Sequence, residues 1–117
     1  FYAACEDGNV EMIKILLNDI RVDVNQVDID GVTPFCIACE TGRVEAVEIL
    51  LKDNRIDVNK VDNGGITPFY IACDGGHSVV VELLMRDTRV NVSKIRFDGV
   101  APFYISCQKG YLAVVKL

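Results

Sequence analysis

Cysteine and histidine are the residues of this 117-residue chain whose types and spacing could do chemistry: it has five cysteines and one histidine. Cys5, Cys39, Cys73 and Cys107 stand 34 residues apart, and Cys36 turns one of them into Cys36-Ile37-Ala38-Cys39, a C-x-x-C. A zinc site on that pair needs a second pair of ligands at suitable spacing, and none follows in the sequence. A redox role needs a thioredoxin-like setting, which is also absent. His77 has no matched nucleophile, so the logic of a catalytic triad has nothing to assemble. Carboxylates are plentiful, but Asp19, Asp53 and Asp87 recur at the same interval of 34. A carboxylate repeated in a loop reads as a turn former or a solvated face rather than a catalytic acid. The expectation is therefore a chain with no catalytic, metal or cofactor site.

The elements that would position these residues come from the same register. Thr33-Pro34-Phe35 recurs as Thr67-Pro68-Phe69 and then as Ala101-Pro102-Phe103, each 34 residues on, and Phe1 falls in phase. Gly8, Gly42, Gly76 and Gly110 form one glycine column, and Gly31, Gly65 and Gly99 another. Seven of nine glycines and all three prolines are thus locked to one period, the signature of a repeat architecture.

Each period reads as one physical unit. Thr33 caps a helix and Pro34 occupies its first position, where a missing N–H costs nothing. A short helix through Phe35, Ile37, Ala38 and Cys39 stops at Gly42, which supplies a left-handed residue. The apolar residues of Val44 to Lys52 fit a second helix with two buried sides. Ile56-Asp57-Val58-Asn59 alternates as an extended segment does. Asp30-Gly31 and Gly64-Gly65 mark tight turns before the next Thr-Pro. Such a unit cannot bury its apolar faces alone, so units must stack. The divisions fall near 1–30 (partial), 31–64, 65–98 and 99–117 (partial), in one domain expected to belong to a longer protein.

At this point the residues resemble the ankyrin repeat. Asp28-Ile29-Asp30-Gly31-Val32-Thr33-Pro34-Phe35 follows that family's opening, and Gly76-His77, Glu82-Leu83-Leu84 and Asp57-Val58-Asn59 follow the rest. Tetratricopeptide repeats share the period of 34, but their helices are longer and lack the Thr-Pro start. The resemblance implies an all-α repeat: an ankyrin-type solenoid of stacked helix-turn-helix units joined by extended, hairpin-like turns. Three departures stand out. The period exceeds the family's usual 33 by one residue, in Lys52-Asp53-Asn54-Arg55, where the usual glycine is missing. The family's histidine after Thr-Pro-Leu, which ties repeats together, is replaced by Cys36, Tyr70 and Tyr104. The repeated cysteine takes the place of a small packing residue.

That last correspondence favours buried, unpaired thiols. Neighbouring helices lie about 8–10 Å apart, whereas a disulfide needs Cα atoms within about 7 Å. Small apolar packing suits free cysteine, and many free thiols favour the reducing cytoplasm or nucleus. The net charge of −5 argues against nucleic acid, whose phosphates need a basic surface. No apolar run approaches the roughly 18 residues of a membrane span, and Phe1 to Val10 carries no signal-peptide pattern.

The resemblance implies a protein partner, held on a concave surface of turn tips and first helices. Carried over, the tips are Ile29 and Asp30, Asn63 and Gly64, Phe97 and Asp98. The helical positions are Glu6 and Asp7, Glu40 and Thr41, Asp74 and Gly75, Gln108 and Lys109. Val27, Val61, Ile95 and Val32, Ile66, Val100 hardly vary in type and read as packing. Ile29, Asn63 and Phe97 differ in kind, and Phe97 is the expected anchor, because aromatic residues dominate interface hot spots. The acidic run Glu6, Asp7, Glu40 and Asp74 suggests a partner with a basic patch. Two further readings are open: a regulatory or targeting module of a larger enzyme such as a kinase or ubiquitin ligase, and a structural element that self-associates end to end. Ala101 in place of the capping threonine and Ser106 in place of alanine make the last unit the expected first to fray.

Overall fold

The structure, a computed structural model, describes residues 1–93. It contains three pairs of helices: α1 (Tyr2–Asp7) with α2 (Val10–Leu17), α3 (Pro34–Glu40) with α4 (Val44–Leu51), and α5 (Pro68–Asp74) with α6 (Ser78–Arg86). Helices α1, α3 and α5 stack as one row, and α2, α4 and α6 as a second. The core lies between the rows, built from Cys5, Ile13, Phe35, Cys39, Val47, Leu50, Phe69, Cys73, Val81 and Leu84.

The Thr-Pro starts work as the sequence implies. Thr33 and Thr67 hold extended backbone, and their hydroxyls accept the N–H of Cys36 and Tyr70 at 3.0 Å. Both threonines are buried, so each hydroxyl satisfies an amide that water does not reach. Gly42 takes φ +70° one residue after the cap of α3. A Cβ there would also meet the His77 ring at 2.5 Å, so both backbone conformation and close approach require glycine.

The segment Ile56-Asp57-Val58-Asn59 corrects one expectation. Ile56 and Val58 are buried and Asp57 is exposed, so the alternation is real. The backbone, however, runs through tight turns, and no strand occurs among the described residues. The cause is local: the Asp53 and Asp57 carboxylates accept the N–H groups two residues on, of Arg55 and Asn59, and fold the chain into side-chain turns. The turns before α3 and α5 are hairpin-like. Asp28 N–H donates to the Val32 carbonyl and Asp62 N–H to that of Ile66. Val32 and Ile66 pack against the core as read, whereas Val27, at the end of the row of turns, is exposed.

Four sets of polar ties join successive units. The Asn25 side chain donates to the Arg55 carbonyl (2.8 Å) and accepts the Asp57 N–H (2.9 Å). Asn59 repeats this with Arg89 (2.7 Å) and Asn91 (2.8 Å). Arg55 donates to the Leu17 carbonyl at the end of α2, and Arg89 to that of Leu51 at the end of α4. Each arginine is held in place by a two-point ion pair with Asp53 or Asp87. At the other end of the helices, Arg43 donates to the Glu6 carbonyl (3.0 Å), and a His77 ring nitrogen bonds that of Glu40 (2.7 Å). The turns are tied by Asn63, whose backbone N–H reaches the Asp30 carbonyl and whose side chain reaches that of Ile29.

Candidate protein-binding surface

The two described turn tips sit side by side because Asn63 bonds to both Ile29 and Asp30. Each tip is shaped by one carboxylate. Asp28 accepts the N–H groups of Asp30 (2.8 Å) and Val32 (2.9 Å), and Asp62 those of Gly64 (2.8 Å) and Ile66 (3.0 Å). Asp28 also accepts the Tyr2 hydroxyl at 3.0 Å. The Val32 amide, with the Tyr2 hydroxyl and the Asp30 amide, holds the Asp28 carboxyl below the usual range. Burial and the bond to Asp28 push the Tyr2 phenol up. Tyr2 stands where the family has its histidine, so a tyrosine here supplies a side-chain tie to the turn that the substitution pattern had put in question.

Held in this way, Ile29 projects into solvent and is 95% exposed. Asp30 and Asn63 are exposed beside it, although the Asn63 side chain is committed to the Ile29 carbonyl. The acidic positions form a separate row. Glu6, Glu40 and Asp74 occupy equivalent places in the last turns of α1, α3 and α5, the first two exposed and Asp74 half-buried. The Thr41 hydroxyl donates back to the Ile37 carbonyl at 2.7 Å. The structure brings the tips together and the acids together, but keeps the two groups apart. Between them lies the seven-residue α3, which spans roughly 10 Å. Phe97, Asp98, Gln108 and Lys109 lie outside the described residues, as does the unit expected to fray.

The chemically tempting groups are absorbed by packing. Cys5, Cys36, Cys39 and Cys73 are free and buried. Burial pushes the Cys5 and Cys36 thiols up to about 12, and that of Cys39 well above its ordinary value. They stay protonated and poor as nucleophiles or metal ligands. No cluster of metal-ligating side chains occurs among the described residues. A cleft of about 620 Å³ between α2 and α4 is lined by Lys14, Leu17, Ile49, Lys52, Asp53 and Arg55. It is an open trough, and the Asp53–Arg55 pair on its rim is already engaged in joining units.

Sequence reasoning missed the role of the Asp-x-Arg triplets. Asp19-Ile20-Arg21, Asp53-Asn54-Arg55 and Asp87-Thr88-Arg89 were readable as a repeated pattern. The aspartates were read alone, as turn formers, without the arginine two residues on that makes each pair a link to the preceding unit.

Stacked helix pairs with a solvent-facing row of turns, and chemistry-bearing side chains sealed in the core, define a repeat scaffold of the protein-binding class. A family model described as ankyrin repeats in three copies matches residues 1–62, and one for a single ankyrin repeat matches residues 64–95. The chain belongs to the ankyrin repeat family, whose repeats are generally protein–protein interaction modules and typically not catalytic. A comparison with the curated proteins finds no match. No helix among the described residues is long and apolar enough to cross a membrane.

Proposed function

We propose that this chain is a scaffold that binds a protein bearing a basic patch, through its turn tips and the acidic ends of its first helices. The observation that carries the reading is the placement of the acids. Glu6, Asp7 and Glu40 occupy the last turns of α1 and α3, with no basic residue in either last turn. The helix dipole favours cations there and disfavours carboxylates. Each acid therefore works against its own helix, and a complementary partner accounts for a row of them. Ile29 beside that row supplies an apolar contact, with Asp30 at its flank, while Asn63 fixes the tips in position. Phe97 and Asp98 extend the row of tips, and Gln108 and Lys109 end the acidic one. Buried free thiols suit a reducing compartment, the cytoplasm or nucleus.

The test is a pull-down with the wild-type chain, the double variant Glu40→Lys/Asp74→Lys, the tip variant Ile29→Asp, and Glu48→Lys on the outer row as control. The charge reversal weakens capture and flattens its salt dependence, the tip variant weakens it, and the control leaves it intact. Equal capture by all four would overturn the assignment.

A further inference from the structure

The three described units share one design, and comparing equivalent positions isolates what a preceding neighbour does. Met12, Ala46 and Val80 are equivalent, 34 residues apart. Ala46 and Val80 are each 1% exposed, whereas Met12 is 43% exposed. Ile15 is exposed, while its equivalents Ile49 and Leu83 are half-buried. The arginines follow the same rule. Arg21 is 86% exposed along its side chain, against 44% for Arg55 and 36% for Arg89. Arg55 and Arg89 each donate to the outer-helix carbonyl of the unit before, Leu17 or Leu51.

Arg21 is nevertheless set up in the same way. Its backbone N–H and Nε donate to one Asp19 oxygen at 3.0 Å, and its NH2 group to the other at 2.7 Å. Asp53 and Asp87 hold their arginines with the same bonds. The Arg21 carbonyl and the Asp23 N–H correspond to the pair that Asn25 grips in the second unit, at Arg55 and Asp57.

We propose that this face of the first unit, formed by Met12, Ile15, Arg21 and Asp23, is a docking face for a further unit of the same repeat. The occupant presents the last carbonyl of an outer helix to the Arg21 guanidinium. Its turn asparagine bridges the Arg21 carbonyl and the Asp23 N–H, and its apolar side covers Met12 and Ile15. The inference is independent of the turn-tip reading, since none of these residues belongs to the tips or the acidic row. Its warrant is continuity with the interfaces between units 1 and 2 and between units 2 and 3, which use the same groups at the same positions.

The experiment adds the occupant in register. A second copy of residues 1–34 is joined ahead of the complete chain, so that its Thr33-Pro34 precedes Phe1 as they precede Phe35. The unfolding midpoint then rises, and amide exchange across residues 10–17 slows by about tenfold or more. Arg21→Ala lowers the midpoint of the extended chain but leaves that of the original chain unchanged. Met12→Glu, which keeps the original chain folded because Met12 is exposed, removes the gain from the extension. An extended chain with unchanged exchange at residues 10–17 would overturn the proposal, as would an Arg21→Ala effect of equal size in both chains.

Discussion

Asn59→Ala is the substitution that most sharply probes how the stack holds together. In the native chain the Asn59 side chain makes two bonds to the next unit, to the Arg89 carbonyl at 2.7 Å and from the Asn91 N–H at 2.8 Å. A protein hydrogen bond contributes a net ~0.5–1.5 kcal/mol, so losing two costs about 1–3 kcal/mol. Asn59 is half-buried, so water takes over part of the lost bonding and the expected cost is about 1–2 kcal/mol. In a domain of this size that lowers the thermal midpoint by roughly 4–12 °C. Urea unfolding followed by circular dichroism reads the global cost. Amide exchange at Asn91 reads the local one, because its N–H loses its acceptor. Asn25→Ala, which removes the equivalent tie to Arg55 and Asp57, costs a similar amount. Asn54→Ala in the neighbouring exposed turn is the neutral control. If Asn59→Ala unfolds like Asn54→Ala and Asn91 exchanges at its native rate, the asparagine ladder does not couple units.

Thr67→Ala destabilises the chain by about 0.5–2 kcal/mol, toward the upper end because the buried Tyr70 N–H is left without its acceptor, whereas Thr67→Ser retains most of the stability; urea unfolding compares the two. Gly42→Ala costs about 1–3 kcal/mol, since an L-residue is strained at φ +70° and the new methyl meets the His77 ring; the thermal midpoint reports it. Acid weakens the stack. The arginine partners of Asp53 and Asp87 lower those carboxyl pKa values, so their contribution is complete above the unfolded value near 4 and is lost as pH falls through the lower folded values. Stability measured from pH 6 to pH 2 therefore declines, and it declines less in Asp53→Asn. Alkali acts through the thiols. Cys5 and Cys36 are raised to about 12, so their contribution is complete below the unfolded value near 8.5 and is lost as pH climbs through the folded one. Under native conditions Cys5, Cys36, Cys39 and Cys73 resist a thiol reagent that labels them promptly in urea.

The fold was legible in the sequence because the residues that fix it are the ones that repeat. Thr-Pro caps, left-handed glycines and buried apolar faces each demand a particular residue type, and the period of 34 places those types in register. The cysteine column was legible for the same reason, as a packing position filled by one small side chain. The ties between units were harder to read, because they join side chains to backbone carbonyls, which carry no residue label. Nothing in Asp53-Asn54-Arg55 names Leu17 as the acceptor, and nothing in Asn59 names Arg89. The turns of residues 53–59 were read as extended because alternation reports which side chains are buried, not how aspartates bend the backbone between them. At the candidate surface the sequence distinguished variable tips from constant packing columns. It could not show that Asn63 is spent on the neighbouring turn while Ile29 is free to meet a partner.

The most direct test of the binding surface is site-specific photo-crosslinking in cell extract, with the reactive group placed at Ile29, at Glu40, or at Glu48 on the outer row. The account predicts one protein adduct common to positions 29 and 40, competed by unlabelled chain, weakened by added salt and missing from position 48. An adduct formed equally at position 48, or none at 29 and 40 that unlabelled chain competes away, would contradict it.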